Sequence, residues 1–254
     1  MPHCLADELQ RWQVLHGILV RSARRSDGPA VATVASQAWP TPTGWADEPD
    51  KLMHYGPASP FLAGDGNAFG LVACDRDGVL LGHAFALERA DGLYLAELAR
   101  RPAAANPAPL GIGAALFAAT VARALARGTL GAGVCANLAL VFLLQPSRAA
   151  TRRAIVALMA YYRSFGFEPS DVGERVLSDG QPQPASDLWL HAPARAVCAA
   201  LDGQLAQHLS SNASRRDGGL AEATVSRHPV DGPPGTHAPS PQASCRASRL
   251  KVGS

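Results

Sequence analysis

Apolar and polar positions change their period several times along this chain, and each change predicts an element. Ile18 and Val20 in "HGILVRS" predict a short strand. Val31, Val34, Ala35 and Ala38 then recur at helical spacing, behind Ser26 or Asp27 as a cap and Pro29 in the first turn. From Trp39 to Asn67 the prolines at 40, 42, 49, 57 and 60 predict irregular chain, with a short helix near Asp47 to Tyr55. In "AFGLVACDRDGVLLGHAFAL" two apolar runs flank the turn dipeptide Asp77-Gly78, which predicts a hairpin. After a turn at "ADG", "LYLAELAR" predicts a third strand.

Leu110 to Arg127 is rich in alanine and leucine and uncharged until Arg123, as expected of a helix buried on a sheet. "LALVFLL", beginning at Leu138, suits a central strand preceded by a loop. Thr151 to Ser164 predicts a helix that Gly166 stops. "ERVLS" and "SDLWLHA" predict a last strand pair. Val197, Leu201, Leu205 and Leu209 share one side of a helix from Pro193 to about Leu209. Beyond Ser210 the chain turns to Ser, Pro, Gly, Arg and His, and is expected to be disordered because it cannot bury enough to offset its ordering entropy. The order β-α-β-β-β-α-β-α-β-β predicts an α/β sandwich with a mixed sheet.

Composition narrows the function classes. With 254 residues and 47% apolar content, one ordinary domain with additions is expected. Arginine carries nearly all the positive charge, as Lys51 and Lys251 are the only lysines. The net charge of +2 makes no case for a nucleic-acid partner. The five cysteines (Cys4, Cys74, Cys135, Cys198, Cys245) are scattered and form no CxxC pair, so no metal site and no disulfide framework are expected. Asp7, Glu8 and Arg11 interrupt the start, so no secretory signal is read. The uncharged stretch Gly128 to Ser147 contains three glycines, Asn137 and Gln145, and predicts no membrane span. A cytoplasmic location and idle thiols follow as expectations.

"PLGIGAALF", Pro109 to Phe117, is where chemistry is expected. Gly111 and Gly113 follow a strand and open a helix, where free N–H groups and the helix dipole favour a phosphate. Small residues for close packing are the plainer reading of the same pattern. A dinucleotide fingerprint is excluded because its third glycine falls on Leu116, and no acidic residue lies in Leu130 to Val134. A Walker loop is excluded because no Gly-Lys-Ser/Thr follows. Some fifty residues on, "AYYRSFGFEP" joins an aromatic helix end, a glycine stop and a strand start.

Together, "LAELARRP…LGIGAALF" and "AYYRSFGFEP" resemble the GNAT superfamily of acyl-CoA-dependent N-acetyltransferases. Its phosphate loop, Arg/Gln-x-x-Gly-x-Gly/Ala, aligns on Ala108 to Gly113, and its later Tyr-x-x-x-Gly-Phe on Tyr162 to Phe167. The resemblance covers His16 to Ala192. It implies a mixed, mostly antiparallel twisted sheet flanked by helices on both faces, with residues 1–15 as an N-terminal extension, 193–209 as a possible C-terminal helix and 210–254 as a disordered tail. It implies acetyl-CoA as co-substrate and a primary amine as acceptor, joined by direct attack, with no metal. The pantetheine arm would pair with Leu98, Ala99 and Arg100, and the diphosphate would rest on Leu110, Gly111, Ile112, Gly113 and Ala114. Tyr162 would act as general acid. Glu97, the acidic residue within "LYLAELAR", is the candidate base, expected to hold its proton more tightly among apolar neighbours; His83 is its rival.

Three departures from the pattern support a competing reading, a catalytically degenerate acyl-CoA-binding or protein-interaction module. They are Ala108 at the opening of the loop, the proline-rich link from Pro102 to Gly111, and Ile155 where an asparagine is usual. Arg100, Arg101 or Arg148 could supply the charge missing at Ala108. On the acceptor side, Trp39, Trp45 and Tyr55 could wall a pocket, and Asp47, Glu48 and Asp50 could attract a cation. A homodimer is left open.

Overall fold

The computed structural model describes residues 3–38, 55–102, 111–137, 148–170 and 189–222. Two units divide the chain, Met1–Ser214 and Arg215–Ser254. In the second, the described residues are helical, ending at Glu222.

Seven strands form one sheet in the order β1-β2-β3-β4-β5-β7-β6. They are β1 (Leu19–Ser22), β2 (Ala68–Cys74), β3 (Leu80–Arg89), β4 (Gly92–Arg100), β5 (Gly133–Asn137), β6 (Glu168–Pro169) and β7 (Trp189–Pro193). All neighbours are antiparallel except β4 and β5. The hairpin between β2 and β3 turns where Asp77-Gly78 predicts, and the Asp75 carboxylate accepts from the N–H groups of Asp77 and Val79 at 3.0 and 2.8 Å.

Helices cover both faces. One face carries α2 (Gly28–Ala38) and the single-turn α3 (Pro60–Ala63). Here Val31, Val34 and Ala35 pack with Tyr55, Phe61, Val72 and Phe85. The other face carries α1 (His3–His16), α4 (Ile112–Arg127), α5 (Arg148–Arg163) and α6, which begins at Ala194. Its core joins Leu5, Leu9 and Trp12 of α1 to Ile112, Leu116 and Phe117 of α4 and to Val197, Leu201 and Leu205 of α6. Phe165 and Phe167, beyond the glycine-stopped end of α5, meet the Phe117 ring at centroid distances of 5.1 and 5.8 Å.

Four details differ from expectation. Residues 3–16 form a helix with a buried face, a pattern carried by the spacing of Leu5, Leu9 and Trp12. The fifth strand is Gly133–Asn137, part of the stretch expected to be a loop. Val134, Cys135 and Ala136 are all buried, as in a strand covered on both faces, so the strand shows no alternation that would mark it in the sequence. "LALVFLL" itself lies outside the described residues, as do "ERVLS", the loop from Trp39 to His54, and Leu110. Among the described residues β7 also pairs with Glu168–Pro169. Finally, α6 continues past Leu209 to Glu222. No helix among the described residues is long and apolar enough to cross a membrane.

Candidate active site

β4 carries an irregularity that decides where its side chains point. Leu95 lies opposite Ala86 and Glu97 opposite Phe85, so Ala96 is an extra residue, a β-bulge. Ala96 therefore points to the same face as Glu97, the α2 face, while Leu95 and Leu98 pack with the α4 face. There Glu97 meets Tyr55 and His83. The Tyr55 hydroxyl donates to its carboxylate, with contacts of 2.8 and 2.9 Å to the two oxygens. His83 Nε2 lies 2.9 Å from Oε1, and the His83 side chain is fully buried. Donation to a carboxylate needs the Nε2–H tautomer, which leaves Nδ1 without a partner among the described residues. Burial, then the charge of Glu97, pushes the Tyr55 hydroxyl well above its ordinary range, so it stays a donor.

The expected base and its rival thus form one cluster, with Tyr55 as a member that sequence reasoning placed only in a pocket wall. Its position depends on Gly28: a Cβ there would collide with the Tyr55 carbonyl oxygen, so only glycine lets that backbone lie against the start of α2.

At the C-terminal end of β4 a cavity of about 1010 Å³ opens, bordered on the α2 side by Gln37 and Ala38. Leu98, Ala99 and Arg100 of β4 border it with the following Arg101 and Pro102, and Gly111, Gly113 and Ala114 from the start of α4. Of the expected cofactor residues, these are the ones the structure brings together. Ile112 is buried in the core beneath them. Among the described residues the pairing of β4 with β5 spans Leu93 to Leu95 against Val134 to Ala136. Gly111 stands at φ 121, in the left-handed region, with the Trp12 indole 3.1 Å from where a Cβ would be. Trp12 itself borders the cavity, as do Gln204, Leu205 and His208 of α6. None of these was expected from sequence, because α1 and α6 lie far from the motif along the chain.

Tyr162 is 8% exposed and packs against Tyr161 and Phe167, with ring centroids 5.6 and 5.1 Å away. Burial, with Tyr94 adding, holds its hydroxyl well above the ordinary range. Tyr161, one residue earlier and about 100° round the helix, borders the cavity instead. Among the described residues no group of three or more His, Cys, Asp or Glu side chains is placed to hold a metal ion.

No protein-family profile matches the chain, and no curated protein does. Solved structures do resemble it. A GNAT-family acetyltransferase from Staphylococcus aureus superposes with a TM-score of 0.52 at 10% identity, covering 70% of this chain and 99% of that one. An acetyltransferase from Streptococcus agalactiae gives 0.48 at 12% identity, covering 70% and 98%. The PaiA N-acetyltransferase of Thermoplasma acidophilum, crystallised with coenzyme A, gives 0.45 at 16% identity, covering 69% and 98%. The mixed seven-stranded sheet, with β4 and β5 parallel at its centre and helices on both faces, is the fold of the GNAT acetyltransferases.

Proposed function

We propose that this chain transfers an acetyl group from acetyl-CoA to a primary amine by direct attack within a ternary complex. The observation that carries the reading is the meeting of Leu98 to Arg100 and Gly111 to Ala114 on one cavity of about 1010 Å³. Leu98, Ala99 and Arg100, at the end of β4 and on the cavity, suit the amide-rich pantetheine arm. The first turn of α4 presents N–H groups that lack intrahelical acceptors, and Arg100 and Arg101 stand beside it, which suits a diphosphate.

In this reading acetyl-CoA supplies the activated acyl group. Glu97 takes a proton from the attacking ammonium, directly or through water, and Tyr55 and His83 hold its carboxylate in place. The amine nitrogen bonds to the thioester carbon, a strand N–H stabilises the oxyanion, the nitrogen releases its remaining extra proton to water, and the carbon–sulfur bond breaks. The departing sulfur then takes up a proton; the family resemblance assigns that proton to Tyr162, although its ring lies outside the cavity lining. Thiol release from acetyl-CoA against a panel of amines tests the proposal: amine-dependent release supports it. The burial of Tyr162 away from the cavity lining favours a second reading, an acyl-CoA-binding module without turnover. Tight CoA binding with no thiol release from any amine would establish that reading in its place.

A further inference from the structure

We infer, resting on the reading that this cavity takes CoA, that the Tyr161 hydroxyl is a hydrogen-bond donor to the CoA diphosphate over the first turn of α4.

The Tyr161 ring is fixed by its neighbours. It meets Phe165 at 4.9 Å and Tyr162 at 5.6 Å between centroids, both edge-on. This packing delivers the hydroxyl to a point 3.0 Å from where a Cβ on Gly113 would stand. The hydroxyl oxygen is buried and has no hydrogen-bond partner among the described residues. A buried polar group without a partner costs stability, so its retention calls for an explanation.

Its surroundings indicate the missing partner. The first intrahelical bond there runs from the Ala115 N–H to the Gly111 carbonyl at 2.7 Å, so the N–H groups of Ile112, Gly113 and Ala114 precede the ladder. Arg100 lies close enough to act on the Tyr161 hydroxyl electrostatically, but burial outweighs it and the oxygen keeps its proton. Arg101 borders the same cavity with a buried Nε that has no partner among the described residues. A helix start, a phenol and two arginines border the same cavity. A diphosphate has enough oxygens to meet them; a single amide carbonyl of the pantetheine arm does not. The loop lacks an arginine or glutamine at its opening, where Ala108 stands, and Tyr161 and Arg101 offer replacement donors from other elements.

Calorimetric titration of wild type and Tyr161→Phe with CoA, and with S-acetyl-pantetheine, which lacks the diphosphate, tests this. The expected result is CoA binding weakened about tenfold or more, S-acetyl-pantetheine binding unchanged, and a melting temperature of the ligand-free variant equal to or above wild type. Equal CoA affinities in the two proteins would overturn the inference, as would an equal loss for both ligands. A wild type that binds no CoA would instead sink the acetyl-CoA reading beneath it. Should Tyr161→Phe melt early, Gly113→Ala, whose methyl would crowd the hydroxyl, allows the same comparison, with selective loss of CoA binding expected and unchanged binding overturning the inference.

Discussion

Glu97 owes its surroundings to one inserted residue. Without the bulge at Ala96, period-two alternation would put the carboxylate on the α4 face beside Leu95; with it, the carboxylate reaches Tyr55 and His83. The expectation of an isolated acid among apolar neighbours is therefore replaced by a carboxylate that meets Tyr55 and His83. Tyr55→Phe removes one of them. The charged form then loses support, the carboxyl takes up its proton more readily, and the acid limb of the kcat/KM profile should move to higher pH. The same change should cost about 1–3 kcal/mol of stability, readable by denaturant titration. Glu97→Gln should lower kcat on the order of a hundredfold, most at low pH where the acceptor amine is protonated. Equal loss at every pH would remove Glu97 from the role of base.

Between β1 and α2 a short element depends on an ion pair. The Arg21 guanidinium donates to both oxygens of Asp27, at 2.7 and 2.9 Å, and the Arg24 N–H donates to Asp27 Oδ2 at 2.8 Å. Asp27, which the sequence suggests as a helix cap, instead closes the 3-10 turn Arg25–Asp27 that leads into α2. The Arg21 hydrogen bond, more than any other influence, holds the Asp27 carboxyl below its ordinary value of 3.8. A carboxyl that binds protons less tightly when folded adds stability above the unfolded value, and that stability is lost as pH falls through the folded one. Wild type should therefore lose melting temperature faster than Asp27→Asn as pH drops below about 4, measured by circular dichroism. Equal slopes would show that the pair contributes nothing to the β1–α2 connection.

Across the first unit, the element least expected ties the core to the cavity. Trp12 is 1% exposed, belongs to the same core as α4 and α6, and borders the cavity next to Gly111. Trp12→Ala should cost about 3–5 kcal/mol and weaken CoA binding together with stability, seen in parallel unfolding and binding titrations. A chain lacking residues 1–15 should lose cooperative unfolding, since Leu5, Leu9 and Trp12 leave the core with it. A truncated chain that melts like wild type would show that α1 is dispensable.

Local pattern by itself determined the β2–β3 hairpin, α2, α4, α5 and α6, because each is written in nearby residues: Asp77-Gly78 for a turn, Val31-Val34-Ala35 for a helix face, Gly166 for a stop. The pair of glycines at 111 and 113 likewise marked the cavity's helix start before any coordinates. Tertiary structure alone decided the rest. No residue type announces a bulge at Ala96, so the face of Glu97 depended on its pairing with β3. The location of β5 depended on burial of both its faces, which erases alternation. The choice of Tyr161 over Tyr162 for the cavity turns on about a hundred degrees of helix rotation, and that rotation is set by how the two rings pack against Phe165 and Phe167 in the folded chain.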